Sequence, residues 1–241
     1  MVTKSIGILL TNPDRRPARL AFPNDGEQVR DLLAARRPAF AQTIYDAVAG
    51  ELPASADSHD GYVITGSPAS VNDDAPWVLA LLEFLRQLDA ARTPTVGLCF
   101  GHQAIVRALG GTVAEGAGWD FGVATTRFHT PQPWMTPTQP TLRLFSAHHE
   151  QVVELPTGFE IIGGNEFCPS GALKKGTHIF TTQYHPEMSE QFMMVLADWL
   201  EEDIGKDALA RSREQIHAGA QGLEFAEWMV RFLEMERSSE A

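Results

Sequence analysis

The stretch Thr95-Val96-Gly97-Leu98-Cys99-Phe100-Gly101 constrains the fold of this chain more than any other. Thr95 to Leu98 reads as a short apolar strand that runs straight into Cys99. Ile105, Val106 and Leu109 follow at helical spacing, and Gly110-Gly111 would stop that helix. A strand that turns into a helix at a single residue holds that residue in a strained conformation, so its neighbours two positions away must be small. Gly97 and Gly101 meet the requirement.

The surrounding pattern extends the same logic. Ile6 to Leu10 reads as a buried strand ending in the turn cluster Thr11-Asn12-Pro13-Asp14. Glu27 to Arg36 reads as a helix stopped by Pro38, and Thr43 to Val48 as a second strand. After a polar loop, Tyr62 to Thr65 is a third strand, broken by Gly66-Ser67-Pro68. Asp73 and Asp74 precede Pro76, a helix start, and Trp77, Leu81, Phe84, Leu85 and Leu88 give that helix one apolar face. Repeated alternation of strand and helix predicts an α/β fold with a mostly parallel sheet covered on both faces.

Residues 112–184 differ. Short strand candidates follow one another there: Gly122–Phe128, Thr141–Phe145, Gln151–Leu155, Glu160–Gly163 and His178–Gln183. Helical spacing returns at Phe192, Val195, Leu196, Trp199 and Leu200, within a helix expected over 189–202, and again at Phe225, Trp228, Met229, Phe232 and Leu233. The expected organisation is a catalytic domain over 1–202 and a helical extension over 203–241 packed on it.

Composition narrows the function classes. Lys and Arg total 19 against 31 Asp and Glu, a net charge of −12, which argues against nucleic acid or an anionic membrane as partner. The first ten residues carry too short an apolar stretch for a signal peptide, and no run of about 18 apolar residues suggests a membrane span. Cys99 and Cys168 are the only cysteines, which is no disulfide framework and fits a reducing compartment. A soluble cytoplasmic protein is the expectation.

Two segments point to chemistry. At the start of a helix, the Cys99 thiol would feel the helix dipole, which favours thiolate, and the Phe100 N–H would point to where an oxyanion forms. A buried, inert cysteine after a strand is the alternative. The second segment is Gln183-Tyr184-His185-Pro186-Glu187. His185 at a strand end could take the thiol proton, and Glu187 could fix its tautomer through the other ring nitrogen. Alternatively this is a loop whose acid caps the following helix. His148-His149-Glu150 does not make a metal site, because adjacent strand residues face opposite ways. His102 lies near Cys99 without a catalytic role, and Cys168, with no elbow around it, reads as a bystander.

Together the two segments resemble the class I, triad-type glutamine amidotransferases, and among them the amidotransferase domain of GMP synthases. That family carries its nucleophile in Gly-x-Cys-x-Gly-x-Gln, here Gly97 to Gln103, and its partners in a later His-Pro-Glu, here His185 to Glu187. Thr65-Gly66-Ser67-Pro68 matches the family's Gly-Gly-Pro-like oxyanion turn, with Ser67 in place of the second Gly. Ala147-His148-His149-Glu150 stands where the family has a Ser-His-x-Asp stretch that holds the amino-acid end of glutamine. The resemblance covers roughly residues 5–200.

The resemblance implies a flavodoxin-like open sheet with a small antiparallel excursion in the second half. It implies Cys99, His185 and Glu187 as catalytic residues and the Ser67 and Phe100 N–H groups as the oxyanion hole. It also implies Gly66, Gln103, His148 and Glu150 as substrate-binding residues. No cofactor and no metal are implied. The substrate would be glutamine or a γ-glutamyl compound, cleaved through a γ-glutamyl thioester. The ammonia would pass to a partner synthetase, or the chain would be a free-standing γ-glutamyl hydrolase. A non-catalytic binding protein on the same fold is the third reading.

Overall fold

The structure is a computed structural model and describes residues 3–235. Its first half holds β1 (Ser5–Leu10), α1 (Pro17–Leu20), α2 (Asp25–Arg36), β2 (Ala41–Asp46), β3 (Gly61–Ile64), α3 (Pro76–Ala90), β4 (Thr95–Leu98) and α4 (Phe100–Ala108). The second holds β5 (Thr112–Phe128), β6 (Thr141–Glu154), β7 (Phe159–Gly164), β8 (Ala172–Lys175) and β9 (Ile179–Thr182). Four helices close the described chain: α5 (Glu190–Trp199), α6 (Glu201–Ile204), α7 (Lys206–His217) and α8 (Gly222–Glu234). None of the described helices is long and apolar enough to cross a membrane.

All nine strands form one sheet in the order β2-β1-β3-β4-β9-β8-β7-β5-β6. The strands from β2 to β9 pair in parallel, and β8, β7, β5 and β6 continue the sheet antiparallel. The fold is the expected α/β, flavodoxin-like type. The antiparallel part is larger than an excursion, because β5 runs for 17 residues and β6 for 14. What reads in sequence as two strands, 141–145 and 151–155, is the single strand β6. Its polar centre is held by pairing with β5, where Asp120 faces His148 and Glu115 faces Glu150.

Alternation along the buried strands feeds two cores. Ile6 and Ile8 of β1, Val96 and Leu98 of β4 and Phe180 of β9 pack with Val29 and Leu33 of α2 and with Phe225, Trp228, Met229, Phe232 and Leu233 of α8. On the other face, Leu9, Ile64 and Ile179 pack with Leu81, Phe84 and Leu85 of α3 and Ile105 and Val106 of α4. So α8 is no appendage: its apolar stripe is the inner wall of the main core. The last six residues of the expected 203–241 extension lie outside the described residues.

Local chemistry moves several boundaries. α2 starts two residues before Glu27 because Asn24 and Glu27 form a reciprocal capping box, Glu27 N–H donating to Asn24 Oδ1 (2.9 Å) and Asn24 N–H to Glu27 Oε2 (2.8 Å). α3 does begin at Pro76, but after Ala75, with no side-chain cap from Asp73 or Asp74. The helix expected over 189–202 ends at Trp199, and α6 follows as a separate turn.

Candidate active site

Cys99 sits between β4 and α4 with φ 47° and ψ −102°. A positive φ is costly for any residue with a Cβ. The two flanking glycines permit the turn. A Cβ on Gly97 would meet the Gly101 carbonyl at 2.7 Å, and one on Gly101 would meet the Ile64 carbonyl oxygen at 2.5 Å. Neighbouring backbone then pins the elbow: Cys99 N–H donates to Thr182 O (2.9 Å) and Gly101 N–H to Thr65 O (3.1 Å).

β9 lies beside β4 and runs parallel to it. Its continuation therefore delivers His185 to the same carboxyl edge of the sheet as Cys99, where open α/β sheets place their sites. His185 N–H is anchored to Phe145 O (2.8 Å). Its ring Nδ1 lies 2.7 Å from Glu187 Oε1, and the side chains of both residues are buried. Burial opposes charge on His185. The Cys99 sulfur and the Glu187 carboxylate outweigh it, and they raise the imidazole well above its ordinary value. The arrangement can thus hold an imidazolium between a sulfur and a carboxylate, which is the charge state a cysteine nucleophile needs.

Gly66 is the third wall. A Cβ there would lie 2.7 Å from His185 Cε1 and 3.7 Å from Cys99 Cβ, so only glycine leaves the imidazole its place. The Thr11 hydroxyl donates to Thr65 O (3.1 Å) and Gly66 O (3.0 Å), and Thr11 N–H donates to Thr65 Oγ1 (3.0 Å). Ser67 follows without a positive φ, and its hydroxyl accepts from Ala69 N–H (3.1 Å). The serine at this turn therefore costs no backbone strain. Phe100 begins α4, where an amide has no carbonyl of its own helix to bond.

The remaining residues expected to touch substrate are turned to internal partners. Gln103 Nε2 donates to Glu150 O (2.8 Å) and to Gln183 Oε1 (3.2 Å). His148 Nδ1 lies 3.1 Å from Glu150 O, and its Nε2 lies 3.4 Å from Asp120 Oδ2. The Glu150 carboxylate accepts from Ser70 Oγ (2.9 Å) and ties β6 to the loop after Gly66. The His149 ring packs at a tilt against Trp119, centroids 4.7 Å apart. Cys168 is buried without an elbow, and burial pushes its thiol up to about 12.

Two contributors escaped the sequence reading. Gln183 Nε2 donates to Cys99 Sγ (3.5 Å), and Thr182 holds the Cys99 amide. Gln183 stands two residues before His185 and directly after the strand that delivers it, and that proximity is the signal that could have found it.

His102, in the first turn of α4, donates or accepts through Nδ1 with Thr181 Oγ1 (2.8 Å), and its Nε2 is buried with no partner among the described residues. Burial, with help from His148, lowers its pKa to about 3. A histidine whose folded value lies below its unfolded one contributes stability that is lost as pH falls through the unfolded value near 6.5. Unfolding free energy should therefore drop between pH 7.5 and 5.5 by about 1–2 kcal/mol more than in a His102→Gln variant. Urea titrations of both proteins at the two pH values check this.

Beside Gly66, Ser67 and His185 opens a cleft of about 100 Å³, bounded by α5 and by the segment from Asn12 to Asp25.

A glutamine amidotransferase from Methylobacillus flagellatus superposes with a TM-score of 0.75 at 22% identity, covering 99% of this chain and 98% of that one. One from Thermotoga maritima gives 0.79 at 16% identity, covering 98% and 100%. The chain belongs to the class-I glutamine amidotransferase family, whose model matches residues 38–197. Gamma-glutamyl peptidase 3 of Arabidopsis thaliana is 30% identical over 149 residues, 59% of this chain and 60% of that protein. A GMP synthase (glutamine-hydrolyzing) of Vibrio vulnificus is 28% identical over 175 residues, 65% of this chain but 32% of the synthase. The match thus spans less than two thirds of either relative.

Proposed function

We propose that this chain hydrolyses the γ-amide bond of a γ-glutamyl compound, with glutamine as the simplest substrate, through Cys99, His185 and Glu187. The observation that carries this reading is the strained elbow at Cys99 facing a buried His185–Glu187 pair 2.7 Å apart. Cys99 Sγ attacks the amide carbonyl carbon, and the N–H groups of Ser67 and Phe100 receive the oxyanion. Each such donor contributes roughly 3–4 kcal/mol in comparable sites. His185 protonates the departing nitrogen, and the C–N bond breaks to leave a γ-glutamyl thioester. His185 then takes a proton from water, which attacks the thioester and releases glutamate and the thiol. Glu187 keeps the imidazole in the tautomer that both steps need. Gly66 leaves room for the imidazole. Gln103, His148 and Glu150 act by holding the elbow, β6 and the oxyanion loop together.

Similarity to a γ-glutamyl peptidase supports a chain that acts alone, and similarity to GMP synthases supports delivery of ammonia to a synthetase partner. Measuring glutamate release from L-glutamine and from γ-glutamyl dipeptides by the purified chain decides between them. Dipeptide turnover without a partner is expected. Turnover of neither, together with no labelling of Cys99 by a γ-glutamyl-mimicking electrophile, would make this a binding protein on an enzyme's fold.

A further inference from the structure

The cleft beside His185 holds more apolar surface than release of ammonia requires. His185 hands its proton to the leaving nitrogen, so whatever that nitrogen carries begins at His185 and enters the space the imidazole lines. Trp119, Met188, Phe192, Leu196, Trp199 and Leu200 line that space. All but Phe192 are half-buried, with apolar surface still open to the cleft. The cleft volume of about 100 Å³ compares with the roughly 10–15 Å³ that one water-sized molecule occupies. Ammonia would leave such a wall unused, whereas small-molecule sites spend apolar lining on apolar ligand surface.

The charges in the cleft are already spent. Arg16 is paired with Asp14, its Nε 3.0 Å from both carboxylate oxygens and its Nη2 2.6 Å from Oδ2. Arg19 is paired with Asp25 at 2.7 Å, both side chains buried. Each guanidinium also lies over a ring of the opposite wall, Arg16 over Trp199 (4.5 Å) and Arg19 over Phe192 (4.8 Å). These stacks fix the aromatic wall in place. Two carboxylates, Asp14 and Asp25, thus balance two guanidinium groups, Arg16 and Arg19, along the cleft, and this lining favours neither an ammonium group nor a carboxylate.

We infer that this cleft is a leaving-group subsite for an uncharged, ring-bearing amine, so that the preferred substrate is the γ-glutamyl amide of such an amine rather than glutamine. The inference rests on the amidase reading above. The reaction balances as hydrolysis: amide and water give glutamate and the free amine, which departs with the proton from His185. The test compares kcat/KM for γ-glutamylbenzylamide, γ-glutamylmethylamide, γ-glutamylputrescine and L-glutamine. The benzylamide should exceed glutamine by about 10- to 100-fold, the effect of burying one ring. Trp199→Ala and Leu196→Gln should each shrink that ratio, and Trp199→Phe should restore most of it. Two sites are used so that a variant that fails to fold does not decide the matter. Glutamine turnover equal to or faster than that of the benzylamide would overturn the inference and leave the wall to a protein partner. A preference for the putrescine amide would overturn it in favour of a cationic leaving group. If the chain turns over none of the four yet cleaves γ-glutamyl dipeptides, the inference falls alone; if it cleaves neither these nor dipeptides and Cys99 is not labelled, the amidase reading falls with it.

Discussion

Cys99→Ala should lower γ-glutamyl amide hydrolysis by about 10,000-fold or more, the scale on which loss of a nucleophile acts, with no change in the unfolding midpoint. Cys99 is buried but its side chain is small, and alanine carries the same Cβ into the same positive φ. The strain of the elbow is thus left untouched. Cys99→Gly should be equally inactive but more stable. Relief of a positive φ contributes about 1–3 kcal/mol, and the freedom of glycine in the unfolded chain takes back about 0.5–1 kcal/mol. A net gain of about 1 kcal/mol over the alanine variant is therefore expected. Activity assays and denaturant melts on the same two proteins check both halves. A cysteine kept for packing would behave differently: both variants would melt early, and glycine would be the worse of the two.

The pair works as a test because strain at an elbow is there to aim a side chain. A thiol that merely filled the core could sit on an unstrained strand, as Cys168 shows by being fully buried with no positive φ. Keeping Cys99 at φ 47° costs stability, and the proposed use of its sulfur gives that strain a purpose.

The elbow was legible in the sequence because its signal is local. Gly97, Cys99 and Gly101 lie within five residues, and the strand before them is apolar throughout. The pairing of His185 with Glu187 was legible for the same reason. What the sequence concealed depends on partners far along the chain. β8 is four residues ending in two lysines, and it exists because β7 and β9 flank it. The first half of β5 carries Glu115, Gly116 and Gly118 and a register shift before Asp120, so no alternation marks it. α7 buries only Leu209, Ser212 and Ile216, too sparse a stripe to read among its charges. The substrate-binding expectation for Gln103, His148 and Glu150 came from motif position alone. Motif position carries no information on the internal hydrogen bonds that these side chains make, because their partners lie far along the chain.

The C-terminal helix carries the sharpest consequence of that distance. Gly222 is the first residue of α8, and its φ lies in no region that demands glycine. By helix propensity alone, Gly222→Ala should stabilise α8 by up to about 1 kcal/mol. The packing says the reverse. A Cβ at position 222 would lie 2.1 Å from the Pro186 carbonyl oxygen, the backbone between His185 and Glu187. Neither side can yield freely: α8 is held by Trp228 and Phe232 in the main core, and His185 by Phe145 O. The variant should lose about 1–3 kcal/mol of stability, the usual cost of forcing an extra carbon into packed backbone. It should lose still more in catalysis, because shifting the His185–Glu187 pair by about 1 Å costs about 100-fold in rate. The loss should fall on kcat rather than KM, since residue 222 does not line the cleft. Steady-state kinetics beside a thermal melt distinguish the cases. A more stable variant with unchanged kcat would mean that α8 does not set the catalytic turn. A fall in kcat at a temperature where the variant is still fully folded would place a positioning residue of the site 35 residues beyond Glu187.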